Sequence, residues 1–476
     1  MTAQVGAELL AGLREVLGPG GVLTDPADTA PYATDWRRLY QGRTAAVLRP
    51  ANTREVAFCV ASCAASGVAI VPQGGNTSMV GGAVPSEDGR QVVLSLSRMR
   101  RVRAIDPVDM TMEAEAGLTL KEAQDAADAA GAKLPLSISS EGTATIGGVL
   151  ATNAGGNNTV RYGNARDMVL GLEVVLADGQ VINALRRLHK DNTGYCLRQL
   201  FVGSEGTLGI ITAAVLKLRP RLAEVELALC AVPDEASALT LFSRVRGQDA
   251  GALQAFEYMS ATGMDFVLRH IPGAVLPLAA PAPHYALVEL GSPRAGAGLR
   301  AALESVLAEA LEAGEITDAV IAESGAQRAA IWKLREEHAE AQKREGASVK
   351  NDVSVPVSRV PELIVRASAA CRALIPGARP VAFGHMGDGN IHMNLQQPPD
   401  MDPTAFLARG HEVMEAVNEV VRDLDGSFSA EHGVGRLKPD MLAEWRGGAE
   451  LDVMRRIKAA LDPAGLLNPG KVLPPG

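Results

Sequence analysis

Two segments near the end of the chain concentrate side chains that do chemistry: Gly384-His385-Met386-Gly387-Asp388-Gly389-Asn390-Ile391-His392 and Ser429-Ala430-Glu431-His432-Gly433. Two imidazoles with one carboxylate form a common shell for a catalytic divalent metal that keeps a position open for substrate. His385, His392 and Glu431 supply that set, and His432 remains as a base. Zinc suits such ligands, as do manganese, cobalt and iron.

The spacing then dictates the elements. Residues seven apart on one straight strand face opposite ways and cannot share an ion. Asp388-Gly389-Asn390 is strong turn chemistry, so two strands, 381–385 and 392–395, would bring the imidazoles opposite each other. Glu431 and His432 are adjacent and project differently, so one can reach a metal while the other faces a ligand.

The chain of 476 residues allows two or three domains with ample cores. A net charge of -9 with interspersed signs disfavours nucleic acid and anionic lipid and favours a small-molecule partner. The cysteines, Cys59, Cys63, Cys196, Cys230 and Cys371, are odd in number and lack CxxC spacing, which argues against a disulfide framework or zinc ribbon. No long apolar run or basic, apolar leader is present, so the expectation is a cytoplasmic protein without a transmembrane segment.

The first part reads as α/β. Asn52 and Glu55, and again Thr119 and Glu122, have capping-box spacing before helices that stop at Gly67 and Gly131. Residues 172–183, with Asp178-Gly179 at the centre, read as a hairpin. Pro220 marks a boundary. Beyond it the pattern predicts strand 223–231, helix 234–247, strands 253–259 and 284–291, helix 297–312 and strand 317–322, the β-α-β-β-α-β order of a ferredoxin-like unit. A long helix over 326–345 and a strand over 348–355 follow.

Three glycine-rich segments lie in the first part: residues 71–82, residues 146–156 and residues 203–209. Exposed peptide N–H groups in such loops can cradle a pyrophosphate, and three of them favour a large dinucleotide. The first lacks the Gly-Lys-Ser/Thr ending of a P-loop, which argues against ATP. Gly296-Ala297-Gly298, with Asp318 downstream, offers a weak match to a nicotinamide-binding fingerprint and leaves an NAD(P)-dependent dehydrogenase as a distant alternative.

The motifs PQGGNTSMVGG, IGGVLATNAGGNNTVRYG, LGLEVVLADG, KDNTGY, LFVGSEGTLGIIT, GHMGDGNIHMN, SAEHGVG and NPGK run in order through the chain. In these it resembles the FAD-linked D-2-hydroxyacid dehydrogenases of the vanillyl-alcohol oxidase type, most of all the branch acting on D-2-hydroxyglutarate. The resemblance implies an α+β protein: a PCMH-type FAD-binding domain of two α/β subdomains over 1–220, a ferredoxin-like antiparallel-sheet substrate domain over 221–430, and a segment 431–476 returning to the FAD domain. FAD contacts are implied at Pro72, Gln73, Gly74, Gly75, Asn76, Thr77, Met79, Gly81, Gly82, Pro135, Thr143, Gly147, Gly148, Asn153, Gly155, Gly156, Glu205, Gly206, Gly209, Ile210 and Asn468. No histidine or cysteine stands in 72–82, so the flavin is expected to be non-covalent there.

By the same resemblance His385, His392 and Glu431 match zinc-ligand positions, and Arg335, Lys350, Asn394 and His432 match substrate-binding positions. The implied reaction removes the hydroxyl proton to His432 and passes hydride from Cα to flavin N5, giving a 2-oxoacid. D-2-hydroxyglutarate is the leading substrate, with D-lactate, D-malate and glycolate as alternatives. An electron-transfer flavoprotein or quinone pool is the expected acceptor, and a homodimer is left open. One departure concerns specificity: Ala339 stands where the hydroxyglutarate enzymes place a threonine, and a lost neutral hydrogen bond costs about 1 kcal/mol. Asn351 beside Lys350 replaces an aromatic residue.

Overall fold

The computed structural model describes residues 5–249 and 251–475. It divides into two compact units: Met1–Gly155, Gly163–Arg221 and Glu431–Gly476 form the first, Gly156–Tyr162 and Leu222–Ala430 the second.

The first unit holds two larger sheets and a two-stranded pair, Ala132–Lys133 with Arg219–Pro220. In one, the parallel strands Ala46–Leu48, Gln91–Ser95 and Ala69–Gln73 lie side by side, with Val22–Leu23 antiparallel at the edge. These strands are short apolar runs covered on both faces, as parallel strands generally are. The other is antiparallel, in the order Val102–Asp106, Thr111–Glu115, Ile210–Lys217, Val169–Val175, Val181–Ala184. Its last two strands form the hairpin expected around Asp178-Gly179, with Gly179 at φ +86°. Both capping signals operate. Asn52 Oδ1 accepts from the Glu55 N–H at 3.0 Å at the head of Thr53–Ala65, and Thr119 and Glu122 form a reciprocal box before Leu120–Ala129.

In the second unit the strands Asp318–Ile321, Glu224–Val232, His284–Ser292 and Leu253–Ser260 are adjacent in that order and antiparallel, the arrangement a ferredoxin-like unit requires. The sheet continues through Arg379–His385 and Asn390–Gln396 to the short strands Ser348–Val349 and Asp352–Ser354. A core of Leu227, Leu229, Met259, Phe266, Val267, Tyr285 and Leu287 packs one side, each large apolar side chain contributing about 1.5–3 kcal/mol by leaving water.

Three elements differ from the pattern, the first being the strand expected over 348–355, which is split into Ser348–Val349 and Asp352–Ser354. A helix, Ala261–His270, lies between the second and third strands; Gly263, a poor helix former, hides it from the sequence. That glycine is a packing requirement, since a Cβ there would lie 2.6 Å from His338 Cδ2. The long helix expected over 326–345 is two helices, Gly325–Glu336 and His338–Arg344, broken at Glu337. His338 follows the break with its imidazole 4.8 Å from the Phe383 ring and fully buried. Among the described residues no helix is long and apolar enough to cross a membrane.

Candidate functional site

Register places the chemistry of the second unit on one face of its sheet. The strand Asn390–Gln396 alternates Asn390, His392, Asn394 and Gln396 with Ile391, Met393 and Leu395, so the polar set shares a face. His385 pairs with Asn390 and Phe383 with His392 across the hairpin. The imidazoles are therefore diagonal neighbours rather than directly opposite, with ring centroids 5.9 Å apart. On the other flank Asp352 pairs with His392. On the strand Leu253–Ser260, where Tyr258 pairs with Gly384, the next residue toward the start is Glu257, which thus comes beside His385.

Each imidazole has a carboxylate at Nδ1. Glu257 Oε1 lies 2.8 Å from His385 Nδ1, and Asp352 Oδ1 lies 3.7 Å from His392 Nδ1. Glu257 is 1% exposed and accepts from Arg335 Nε through its other oxygen at 2.7 Å. Burial by itself would raise the Glu257 carboxyl, but His385 and Arg335 outweigh it and hold it at about 2. Arg335 also lies over the Phe383 ring at 5.1 Å. Burial, reinforced by the Arg335 charge, lowers His338 to about 3, so that imidazole is neutral at ordinary pH. Burial lifts the Asp388 carboxyl to about 6.

Lys350 and Asn394 converge on Gln342. Its Oε1 accepts from Lys350 Nζ at 2.5 Å and from Asn394 Nδ2 at 3.0 Å, and Asn394 Oδ1 accepts from the Asn351 N–H at 3.1 Å. Gln342 is fully buried with no partner for its Nε2, as is His338 Nε2. Such orphaned polar atoms beside Arg335 and Lys350 suit a polar ligand. Ala339 is exposed.

The chain leaves this face at Ala430, whose N–H donates to the Asp352 carbonyl at 3.3 Å. The covalent continuation is Glu431 and His432. Asp352, His392, Glu431 and His432 each offer one donor atom, and the four atoms lie within 4.8 Å of one another; Asp352 is buried and the others are half-buried. Oxygen and imidazole donors of this kind fit a divalent metal. Of the expected ligands, His392 and Glu431 belong to this group, while His385 stands outside it with its Nδ1 engaged by Glu257.

In the first unit the glycine loops pack on one another. A Cβ on Gly75 would lie 2.0 Å from the Thr143 carbonyl oxygen, and one on Gly74 2.3 Å from Thr145 Oγ1, so residues 74–76 press against the segment 143–148. A Cβ on Gly147 would lie 2.7 Å from Ala116 Cβ, and one on Gly209 2.7 Å from Val174 Cγ1. Gln73 is a brace, donating to the Tyr32 and Ala83 carbonyls at 2.9 Å each, and Asn76 donates to the Thr34 carbonyl at 2.9 Å. Pro135 and Gly155 are buried, Thr143 is exposed, and Pro72, Thr77, Met79, Gly82, Gly148 and Asn153 are half-buried. Gly156 falls in the second unit.

Glu205 is enclosed but partly open to solvent; its oxygens accept from the Val434 and Gly435 N–H groups at 2.8 and 2.9 Å. Burial raises its carboxyl despite these donors and the charges of Lys438 and Lys471. Burial also lowers the Lys471 ammonium, to about 8. Asn468 donates to the Gly82 and Glu205 carbonyls at 2.9 and 2.8 Å, while its buried Oδ1 has no partner. An unsatisfied acceptor among glycine loops fits a cofactor such as FAD.

The alternative nicotinamide fingerprint meets a physical obstacle. The head of the helix Leu299–Glu312, where a pyrophosphate would sit, is taken by the Glu224 carboxylate, which accepts from the Ala297 and Leu299 N–H groups at 2.6 Å each.

Glu257, Asp352 and Gln342 were not anticipated. A lone glutamate inside the apolar run Leu253-Gln254-Ala255-Phe256-Glu257-Tyr258 was the available signal for the first. For Gln342 nothing local distinguishes it from a solvated helix residue.

Residues 221–472 match the family model described as FAD linked oxidases, C-terminal domain, and residues 44–185 match that of an FAD binding domain. The mitochondrial D-2-hydroxyglutarate dehydrogenase of Bos taurus is 39% identical, over 98% of this chain and 83% of its own. The D-2-hydroxyglutarate dehydrogenase of Xanthomonas citri pv. viticola is 38% identical, over 94% and 93%. That of Stutzerimonas stutzeri is 34% identical, over 98% of each. The solved structure of p-cresol methylhydroxylase with substrate bound shares the fold, with a TM-score of 0.76 at 18% identity over 100% of this chain and 99% of that one. The chain belongs to the FAD-linked oxidases, of the PCMH type, and is an FAD-dependent dehydrogenase homologous to the D-2-hydroxyglutarate dehydrogenases.

Proposed function

We propose that the protein oxidises a D-2-hydroxyacid, in the first place D-2-hydroxyglutarate, to the 2-oxoacid. The observation that carries the substrate class is the sheet face on which two histidines, each backed by a carboxylate, adjoin the cations Arg335 and Lys350. A dicarboxylic hydroxyacid has a chelating hydroxyl and carboxylate at one end and a second carboxylate at the other. The relatives of like name support the choice among acids.

In this reading His385, His392 and Glu431 hold a divalent metal, with Asp352 orienting His392; zinc is the first choice, manganese or cobalt the next. The loops at 72–82, 143–156 and 203–210, with Asn468, hold non-covalent FAD. When bound, the metal supplies a Lewis acid for the substrate hydroxyl and the flavin supplies a hydride acceptor. His432 takes the hydroxyl proton as general base. Asn394 donates to the substrate carboxylate, and Arg335 presents a planar fork to the distal one. Lys350 adds a point charge held by Gln342. Electrons then pass to an electron-transfer flavoprotein or quinone.

Anaerobic bleaching of the flavin by single-enantiomer 2-hydroxyacids, with and without chelator, tests this. The expected result is rapid bleaching by D-2-hydroxyglutarate, lost on chelation and restored by zinc. Bleaching by D-lactate alone would move the specificity, and no bleaching by any acid would sink the reading.

A further inference from the structure

Glu257 uses both carboxylate oxygens on different partners. Oε1 meets His385 Nδ1 at 2.8 Å, Oε2 meets Arg335 Nε at 2.7 Å, and the residue is 1% exposed. A carboxylate at Nδ1 keeps the proton there and leaves Nε2 as the electron-pair donor of that ring. Arg335 enters the pair through Nε, so its two terminal nitrogens are not used in it. The strand pairing fixes one partner and the helix Gly325–Glu336 the other, so a single buried side chain sets where an imidazole and a guanidinium stand relative to each other.

We propose that Glu257 is a positioning residue that ties the metal-binding imidazole of His385 to the substrate-binding guanidinium of Arg335, and so sets the chain length of the acid that fits. The proposal rests on the functional reading above. Glu257 touches neither substrate nor metal in it. It acts on the metal by fixing the His385 tautomer and ring angle, and on the distal carboxylate by holding Arg335. An acid with one carboxylate meets only the first of these effects; a dicarboxylic acid meets both.

Cobalt(II) titration of the chelator-stripped, FAD-loaded protein, read by its visible absorption, provides the test. Carboxylates behind metal-bound histidines typically matter by about 10–100-fold in affinity, and E257Q is expected to weaken cobalt binding by that factor with the flavin content unchanged. Because a lone Arg335 charge left in the interior can unfold the unit, E257Q/R335M is compared with R335M. Both remove the Arg335 charge, and only the first removes the carboxylate as well. The double variant should bind cobalt about 10–100-fold more weakly than R335M. With cobalt saturating, E257Q should raise KM at least about tenfold for D-2-hydroxyglutarate and much less for D-lactate, and E257D should restore part of both losses. Cobalt affinity equal in R335M and E257Q/R335M overturns the role of Glu257. Wild-type protein that binds no cobalt overturns the metal site itself, and the proposal with it.

Discussion

The two units each contain an enclosed glutamate that joins distant parts of the chain, and the two carboxyls shift in opposite directions. Glu205 is met by two backbone N–H groups, and burial raises it. Glu257 is more deeply buried, yet it is driven down because its partners are a guanidinium and an imidazole. Burial alone therefore does not set the shift: around Glu205 it outweighs two N–H groups and the charges of Lys438 and Lys471, whereas the direct pairs of Glu257 with His385 and Arg335 outweigh it. Glu205 works as a strap on residues 433–435, where Gly433 at φ +77° leaves room for it. Glu257 works on His385 and Arg335, the two side chains it pairs with.

The largest test of this contrast lies with His432, which precedes the strapped residues and is the base in the function proposed. H432A is expected to slow flavin reduction by about 10²–10⁴-fold while FAD content stays constant, measured by anaerobic stopped-flow bleaching. Loss of less than tenfold would move the base elsewhere.

Next comes the ion-paired glutamate. E257Q leaves Arg335 uncompensated in the interior and should lower the denaturant stability of its unit by about 3–5 kcal/mol, with R335M restoring part of it in the double variant. A drop no larger than that of E205Q would erase the distinction between the two sites.

For the strap, E205Q is expected to cost about 1–3 kcal/mol, seen as a lower melting point, with cobalt affinity unchanged. It should also remove a pH dependence. The folded-state carboxyl titrates above its ordinary value of 4.5, so between the two values the folded protein keeps a proton that the unfolded chain has released. Stability accordingly falls as pH rises from 4.5 through that interval, and E205Q should flatten the slope in melts taken from pH 4.5 to 7.

The smallest effect concerns the exposed Ala339, in the helix after the one carrying Arg335. A339T adds one hydroxyl and should lower KM for D-2-hydroxyglutarate by about fivefold, about 1 kcal/mol, with no change for D-lactate.

Much of the frame is legible in residues that act on their neighbours. Asn52 with Glu55, Thr119 with Glu122 and Asp178-Gly179 are local devices, and their helices and hairpin appear where the spacing puts them. The strand and helix order beyond Pro220 is likewise periodic, and it appears as a ferredoxin-like sheet. The helix Ala261–His270 escaped because its Gly263 is required by contact with His338 across the fold, and the break at Glu337 comes just before that same buried residue.

The site divides in the same way. Glycine loops, the Asp388-Gly389-Asn390 turn and the neighbours Glu431 and His432 are chemistry written in consecutive residues, and a sequence determines them by itself. What only the tertiary structure decided is which carboxylate stands behind which imidazole. Glu257 lies 128 positions from His385 and 78 from Arg335, and Gln342 lies 52 from Asn394. Local periodicity says which face a residue takes, but a partner across a sheet depends on strand order and register, and those are settled by the packing of the whole unit.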